Sequence, residues 1–284
     1  MMTERNVLID GVTVPRFLYG TAWKEDESER LTATALRQGF RGIDTANQRR
    51  HYHEAGVGRG VATSIANDIV TRNDLFYQTK FTFRDGQDHR LPYDPAAPIA
   101  VQVQQSFLSS LDHLQTNVID SYLLHGPSTR EGLAAADWEA WRTMEAIHKS
   151  GQARLLGISN VTLKQIQELC KGASVPPRFV QNRCYAITGW DREVRTFCRN
   201  KGITYQGFSL LTANRQVLSH PDIVQIAKRL GRTIAQVIFR FALDLGMIPL
   251  TGTTDADHMQ ADLEVFDFEL PDDVVSHIER FIER

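Results

Sequence analysis

Cysteine is scarce, and the three present, Cys170, Cys184 and Cys198, are an odd number spaced 14 apart. That spacing matches no zinc-ligand pattern, and an odd count offers no disulfide framework. Buried thiols in a reducing compartment are the expectation. No run is long and apolar enough for a membrane span, and Met1-Met2-Thr3-Glu4-Arg5-Asn6 lacks the apolar core of a secretory leader. A cytoplasmic location is therefore expected, with no membrane partner. Neither sign of charge is in excess: 32 Lys and Arg face 34 Asp and Glu, a net of −2. The electrostatic footprint of a nucleic-acid binder is missing, although a local basic pocket for a phosphate stays compatible with that balance. No linker rich in Pro, Gly or Ser and no low-complexity tract divides the chain, so 1–284 reads as one domain.

What is present is a core and a rhythm. Apolar residues make up 42% and charged residues 23%, ordinary values for a globular protein. Val7-Leu8-Ile9-Asp10-Gly11-Val12-Thr13-Val14 puts Asp-Gly between two β-rich runs, a hairpin signal. After it, short apolar runs alternate with helical patterns. Strands are expected at 16–21, 41–44, 75–80, 118–124, 154–158, 179–181, 203–206 and 247–250. Helices are expected near 25–38, 54–66, 99–115, 134–150, 162–171, 191–200, 221–230, 233–245, 255–262 and 271–282. This is an α/β pattern, and eight is the number of strands that closes a (β/α)8 TIM barrel of roughly 250 residues. The expected architecture is that barrel with an N-terminal β-hairpin and extra helices near the C-terminus. An open doubly wound sheet is the rival that periodicity alone leaves standing.

The chemistry gathers at strand ends. Asp44 closes one strand and Tyr52 follows in its loop, Lys80 closes the next, and His125 ends a third. In a parallel barrel all four reach one mouth, where polar residues read as catalytic. A tyrosine hydroxyl is a poor proton donor near neutral pH unless a cation favours its phenolate. Lys80 would supply that cation, and Asp44 would hold the lysine. His125 would donate a hydrogen bond to a carbonyl oxygen. Two other readings compete. His51-Tyr52-His53 has the His-x-His form of a metal pair, which with Asp44 and His125 suggests a metal-dependent barrel hydrolase. A barrel that binds nicotinamide cofactor as a sensor or partner subunit is the non-enzyme reading. Gly56-Val57-Gly58-Arg59-Gly60 lacks the strand and the third glycine of a dinucleotide fingerprint, and close helix packing is the better account of it.

Gly42-Ile43-Asp44-Thr45-Ala46, the Tyr52…Glu54…Val57-Gly58 run, Thr79-Lys80, Leu124-His125-Gly126-Pro127 and Gly157-Ile158-Ser159-Asn160 together resemble the aldo-keto reductase family. Val180-Gln181-Asn182 and Val265-Phe266-Asp267-Phe268-Glu269-Leu270 continue the likeness in the same order. The resemblance implies a (β/α)8 barrel and reduction of a small-molecule carbonyl by hydride from a nicotinamide cofactor, NADPH by preference, with NAD possible and no metal. It implies Tyr52 as proton donor, tuned by Lys80 and Asp44, with His125 positioning the carbonyl. Ser159, Asn160 and Gln181 match the positions that hold the nicotinamide carboxamide. The implied cofactor set extends to Gly20, Thr21, Asp44, Phe208, Ser209, Leu211, Thr251, Gly252, Thr253, Thr254, His258 and Asp262. The sequence departs from the family pattern in places. The loop from Asp44 to Tyr52 is longer by about three residues, with the extra length expected in 47–51. Phe208 replaces a stacking tyrosine, Pro249-Leu250-Thr251 replaces Pro-Lys-Ser, and His258 stands where an arginine is expected.

Trp23, Phe83, Tyr93 and Trp190 are the expected walls of the substrate pocket, together with the loop 82–97 and the loop after 118–124. For the cofactor's phosphate, Thr251-Gly252-Thr253-Thr254-Asp255 leads into a helix start, where freed backbone N–H groups suit an anion. Yet 249–262 contains no Lys or Arg, leaving His258, with help from Arg215, as the expected cation.

Overall fold

The computed structural model describes residues 4–280. It opens with the expected hairpin, β1 (Asn6–Ile9) paired antiparallel with β2 (Val12–Pro15). Asp10 and Gly11 both have positive φ, 47° and 79°, the mirror-image turn whose twist suits a two-residue hairpin. Then come β3 (Leu18–Gly20), β4 (Gly42–Asp44), β5 (Phe76–Phe81), β6 (Ile119–Leu124), β7 (Ala153–Ser159), β8 (Phe179–Arg183), β9 (Thr204–Phe208) and β10 (Ile248–Thr251). These strands are parallel and close into a barrel in the order β10-β3-β4-β5-β6-β7-β8-β9. The closed (β/α)8 barrel with its hairpin replaces the open-sheet alternative.

The helices between the strands are α1 (Ser28–Gln38), α2 (Glu54–Ala66), α3 (Ile99–His113), α4 (Ala135–Lys149), α5 (Leu163–Gly172) and α6 (Arg192–Asn200). They continue with α7 (Arg215–Leu218), α8 (Pro221–Leu230), α9 (Ile234–Asp244), α10 (Ala256–Leu263) and α11 (Asp272–Glu279). The four-residue α7 had no expectation behind it. The end of the expected helix 271–282, at 281–282, lies outside the described residues. Starts are set by side-chain caps: Thr162 and Thr233 each accept a backbone N–H three residues on, and the matching glutamine reaches back. The glycines of α2 are packing glycines. A β-carbon on Gly58 would fall 1.8 Å from His113 O, and one on Gly60 would fall 2.4 Å from Glu29 O, so α3 and α1 approach as only glycine permits.

Two apolar regions hold the barrel. The larger lies between strands and helices and includes Tyr19, Ile43, Tyr77, Trp141, Phe241 and Ile278. The smaller fills the barrel's lower interior: Leu18, Phe76, Leu155, Phe179, Ile248 and Leu250, with Val12 and Val14 of the hairpin packed against them. Side chains higher in the barrel are polar, and the site begins there.

Candidate active site

Lys80 is fully buried, and a buried cation must be paired. Its Nζ donates to Asp44 Oδ1 at 2.7 Å, Asp44 Oδ2 at 2.8 Å and Thr45 O at 2.8 Å, which accounts for all three ammonium protons. Burial lowers the lysine pKa and Asp44 opposes that shift. Asp44 Oδ1 also accepts from Gln78 Nε2 at 2.8 Å and Gln181 Nε2 at 2.9 Å. Below them Gln206 Oε1 accepts from both glutamines, at 2.7 and 3.0 Å, and Gln206 Nε2 returns a bond to Gln78 Oε1 at 2.9 Å. Ser121 Oγ adds a further donor to Gln78 Oε1 at 2.8 Å. This connected amide layer fixes the Asp44 carboxylate in the barrel interior.

Tyr52 reaches the same cavity by way of the lengthened loop. Asn47 Nδ2 bonds Ser106 O, Gln48 Nε2 bonds Gly86 O, and the amides of His51 and Tyr52 both return to Gln48 O. The extra residues thus form a tight turn over 48–52, tied to the loop after β5, and Tyr52 is delivered just ahead of α2. Glu54 then anchors the start of that helix: buried, it accepts from Thr79 Oγ1, from Ser110 Oγ at 2.9 Å and from His113 Nδ1 at 3.1 Å. The Tyr52 ring lies 5.9 Å from the His125 ring and 5.3 Å from Lys80 Nζ, centroid distances in each case. Its hydroxyl has no hydrogen-bond partner among the described residues. Burial, with a contribution from Asp44, raises the tyrosine pKa. Lys80 stands beside the tyrosine ring with Asp44 holding it, and burial is the largest influence on the tyrosine hydroxyl.

His125 is held by its backbone N–H on Phe81 O at 2.8 Å and by Nδ1 against Thr82 Oγ1 at 2.6 Å. Burial first, then Lys80 and His51, lowers its pKa well below the ordinary histidine value, so the ring is neutral. Asp44, Tyr52, Thr82 and His125 face a common cavity of about 1110 Å³.

The residues matched to the cofactor divide into those that line this cavity and those that do not. Gly20, Ser159, Asn160, Gln181, Phe208, Ser209, Leu211, Thr251, Gly252, Thr253, His258 and Asp262 line it. Asn160 Nδ2 donates to His125 O at 2.8 Å and Ser159 Oγ at 3.1 Å, while Ser159 Oγ donates to Gln181 O at 2.6 Å. Thr21 is instead fully buried with its hydroxyl on Asp44 O, and Thr254 is exposed outside the cavity. The helix start expected to receive a phosphate already carries an anion: Asp255 Oδ1 accepts the N–H groups of Asp257 and His258 at 2.9 and 3.0 Å. Arg215 begins α7, exposed and away from the cavity lining.

Two of the expected pocket walls are corrected. Trp190 is fully buried under α11, its Nε1 on Ile278 O at 3.1 Å and its ring 5.0 Å from Phe241. Tyr93 is turned behind the loop after β5, its hydroxyl on Thr82 O at 2.8 Å. Trp23 and Phe83 do line the cavity, joined by Pro95 and Gly126 to Ser128 from the two expected loops. The His-x-His pair is pulled apart: His51 stacks on Trp23 with centroids 4.0 Å apart, and His53 Nδ1 faces Glu25 O. Among the described residues no group of three or more His, Cys, Asp or Glu could hold a metal ion.

Sequence reading missed three contributors. Lys24 projects into the cavity from the loop after β3 and donates to Gly252 O, supplying the cation absent from 249–262. Barrel closure places β10 beside β3, and that adjacency was the available signal. Arg183 lies over the Phe208 ring, 5.4 Å from its centroid, as the strand register Arg183↔Phe208 requires. Thr82, two residues past Lys80, holds His125.

The family model described as the Aldo/keto reductase family matches residues 17–283. The oxidoreductase YtbE of Bacillus subtilis is 32% identical over 280 residues, covering 98% of this chain and 92% of that protein. The glyoxal reductase of Bacillus subtilis is 29% identical, covering 96% and 90%. Among solved structures, the Bombyx mori aldo-keto reductase in complex with NADP aligns with a TM-score of 0.82 at 26% identity, covering 97% of this chain and 92% of that one.

Proposed function

The chain belongs to the aldo/keto reductase family, and from that premise we propose that it reduces an aldehyde or ketone to an alcohol with NADPH, Tyr52 giving the proton. One observation carries this reading. Asp44, an unpaired tyrosine hydroxyl and a neutral histidine face one cavity, with Lys80 buried behind Asp44 and bonded to it. No packing requirement brings those four together.

Tyr52, kept protonated by burial, is loaded as an acid at any ordinary pH. An alkoxide is a stronger base than a phenolate, so a proton held by Tyr52 Oη passes readily to an oxygen that has become negative. Lys80 and Asp44 keep that corner of the cavity close to neutral and rigid, and Lys80 Nζ is the nearest cation to the phenolate left behind. His125 aligns the carbonyl oxygen with Tyr52 through its free ring nitrogen.

NADPH, when bound, would supply the hydride. The side chains fit such a group: Asn160 Oδ1 and Gln181 Oε1 are acceptors without partners among the described residues, as an amide NH2 needs, and Phe208 offers a ring face for stacking. Ser159 supports Asn160 rather than offering its own proton, which Gln181 O already takes. At the far end, Lys24 rather than the start of α10 would meet phosphate, and His258 and Asp262 would flank it. The cavity volume and the exposed Trp23 at its edge favour bulky carbonyls bound loosely over small ones bound tightly.

The test is a panel of carbonyls, from glyoxal to aromatic aldehydes, run with NADPH and with NADH. Reduction of several aldehydes, faster at limiting NADPH than at limiting NADH, is expected. Failure to oxidise either cofactor with any of them would leave the nicotinamide-binding sensor as the better reading.

A further inference from the structure

Thr82 is 6% exposed and fixed at both branches of its side chain. Its Cγ2 lies against Gly86, where an added β-carbon would come within 2.6 Å, and its Oγ1 is 2.6 Å from His125 Nδ1. Its carbonyl oxygen is tied to Tyr93 Oη at 2.8 Å. A hydroxyl and a neutral imidazole nitrogen can share a proton in two ways. If Nδ1–H donated, the threonine hydroxyl hydrogen would have no protein acceptor among the described residues, and Nε2 would turn a lone pair to the cavity. If the hydroxyl donates, both groups are satisfied and Nε2 carries the N–H. The doubly protonated ring is disfavoured by burial and by Lys80.

We infer that Thr82 is a positioning residue that fixes His125 as the Nε2–H tautomer, so that the ring offers a donor to an oxygen in the cavity. A lone pair at that point would repel a carbonyl oxygen, and a free imidazole, although it favours the Nε2–H form modestly, still populates both tautomers. The use of the donor rests on the carbonyl-reductase reading above, whereas the tautomer does not.

The experiment is nitrogen-15 NMR of histidine-labelled full-length protein without cofactor, with His125→Gln assigning the His125 ring among nine histidines. Wild type should show His125 Nε2 protonated and Nδ1 unprotonated, unchanged between pH 6 and pH 8. In Thr82→Val the two nitrogens should move towards averaged shifts. Its kcat should fall about tenfold, a change of ~1.4 kcal/mol in the barrier, with cofactor affinity unchanged. Thr82→Ser should restore both the shifts and the rate. A protonated Nδ1 in wild type overturns the inference, as does a valine variant whose His125 keeps the wild-type nitrogen shifts, whatever its rate. The wild-type spectrum decides the tautomer even if the valine variant does not fold. The expected tautomer in a protein that reduces no carbonyl would count against the proposed function and leave Thr82's role intact.

Discussion

Lys24 and Gly252 are 228 residues apart and meet where the barrel closes, the ammonium donating to the glycine carbonyl. Lys24 is buried enough that its pKa is lowered, yet the one bond its ammonium makes among the described residues is to a neutral oxygen. An anion in the cavity would be the better partner. Lys24→Met should therefore weaken NADPH and NADH binding alike, about tenfold each, if the lysine serves the diphosphate they share. Dissociation constants from tyrosine and tryptophan fluorescence check this. A loss confined to NADPH would move Lys24 to the 2′-phosphate, and no loss would remove it from the site.

The reaction should be insensitive to pH between 6 and 9. Tyr52 is pushed upward by burial and His125 downward, so neither changes protonation across that window. A kcat profile at saturating substrate and cofactor should be flat. A limb falling near pH 8 would show that bound cofactor and substrate bring the tyrosine back within range. Tyr52→Phe should cut kcat by at least about a hundredfold while cofactor still binds. The buried, hydrogen-bonded Tyr93 is no substitute donor.

Asp262 gives a stability prediction. Burial pushes its carboxyl up to about 6, although Thr251 Oγ1 donates to it at 2.7 Å. The folded value lies above the unfolded one, so the folded state holds the proton more tightly. The associated stability is fully present below the unfolded value of 3.8 and is lost as pH rises through about 6, at a cost of at most about 3 kcal/mol. Asp262→Asn should raise the thermal midpoint at pH 8 and change it little at pH 4. The same substitution removes a negative charge from the cavity, so NADPH should bind the variant more tightly at pH 8. Equal midpoints at pH 8 would show that the carboxylate is better solvated than its burial implies.

His113 has the opposite consequence at the start of α2. Its hydrogen bond to Glu54 raises its pKa above the ordinary 6.5, against the pull of burial. The stability it adds is complete below the unfolded value and is lost as pH rises through the folded one. The gap in denaturant midpoint between wild type and His113→Ala should narrow from pH 6 to pH 9. A gap independent of pH would mean that His113 acts through packing alone.

The elements were legible because strand and helix periods differ sharply. The helix at 54–66 is found with both ends as expected, and Asp44, Lys80 and His125 converge because parallel strands must deliver their ends to one side. Four residues were too few to announce α7. Trp190 and Tyr93 were misplaced because loop aromatics point where backbone turns send them, and a positive φ at Trp190 sends that ring under α11. Asp255 was readable in principle, since an acid directly before a helix is a cap before it is anything else. Lys24 and Thr82 were hidden for a different reason: each acts on a residue far away in the chain, across the seam or onto the next strand.

The hairpin gives the barrel a floor. With Val12 and Val14 set into the lower apolar interior, the cavity lined by Asp44 lies above them and has a doorway at the rim near Trp23 and Phe83. If the proposed reading holds, a carbonyl compound and a cofactor would both approach past that rim. Traffic through that doorway, rather than the proton transfer beneath it, is where a crowded rim would slow the cycle.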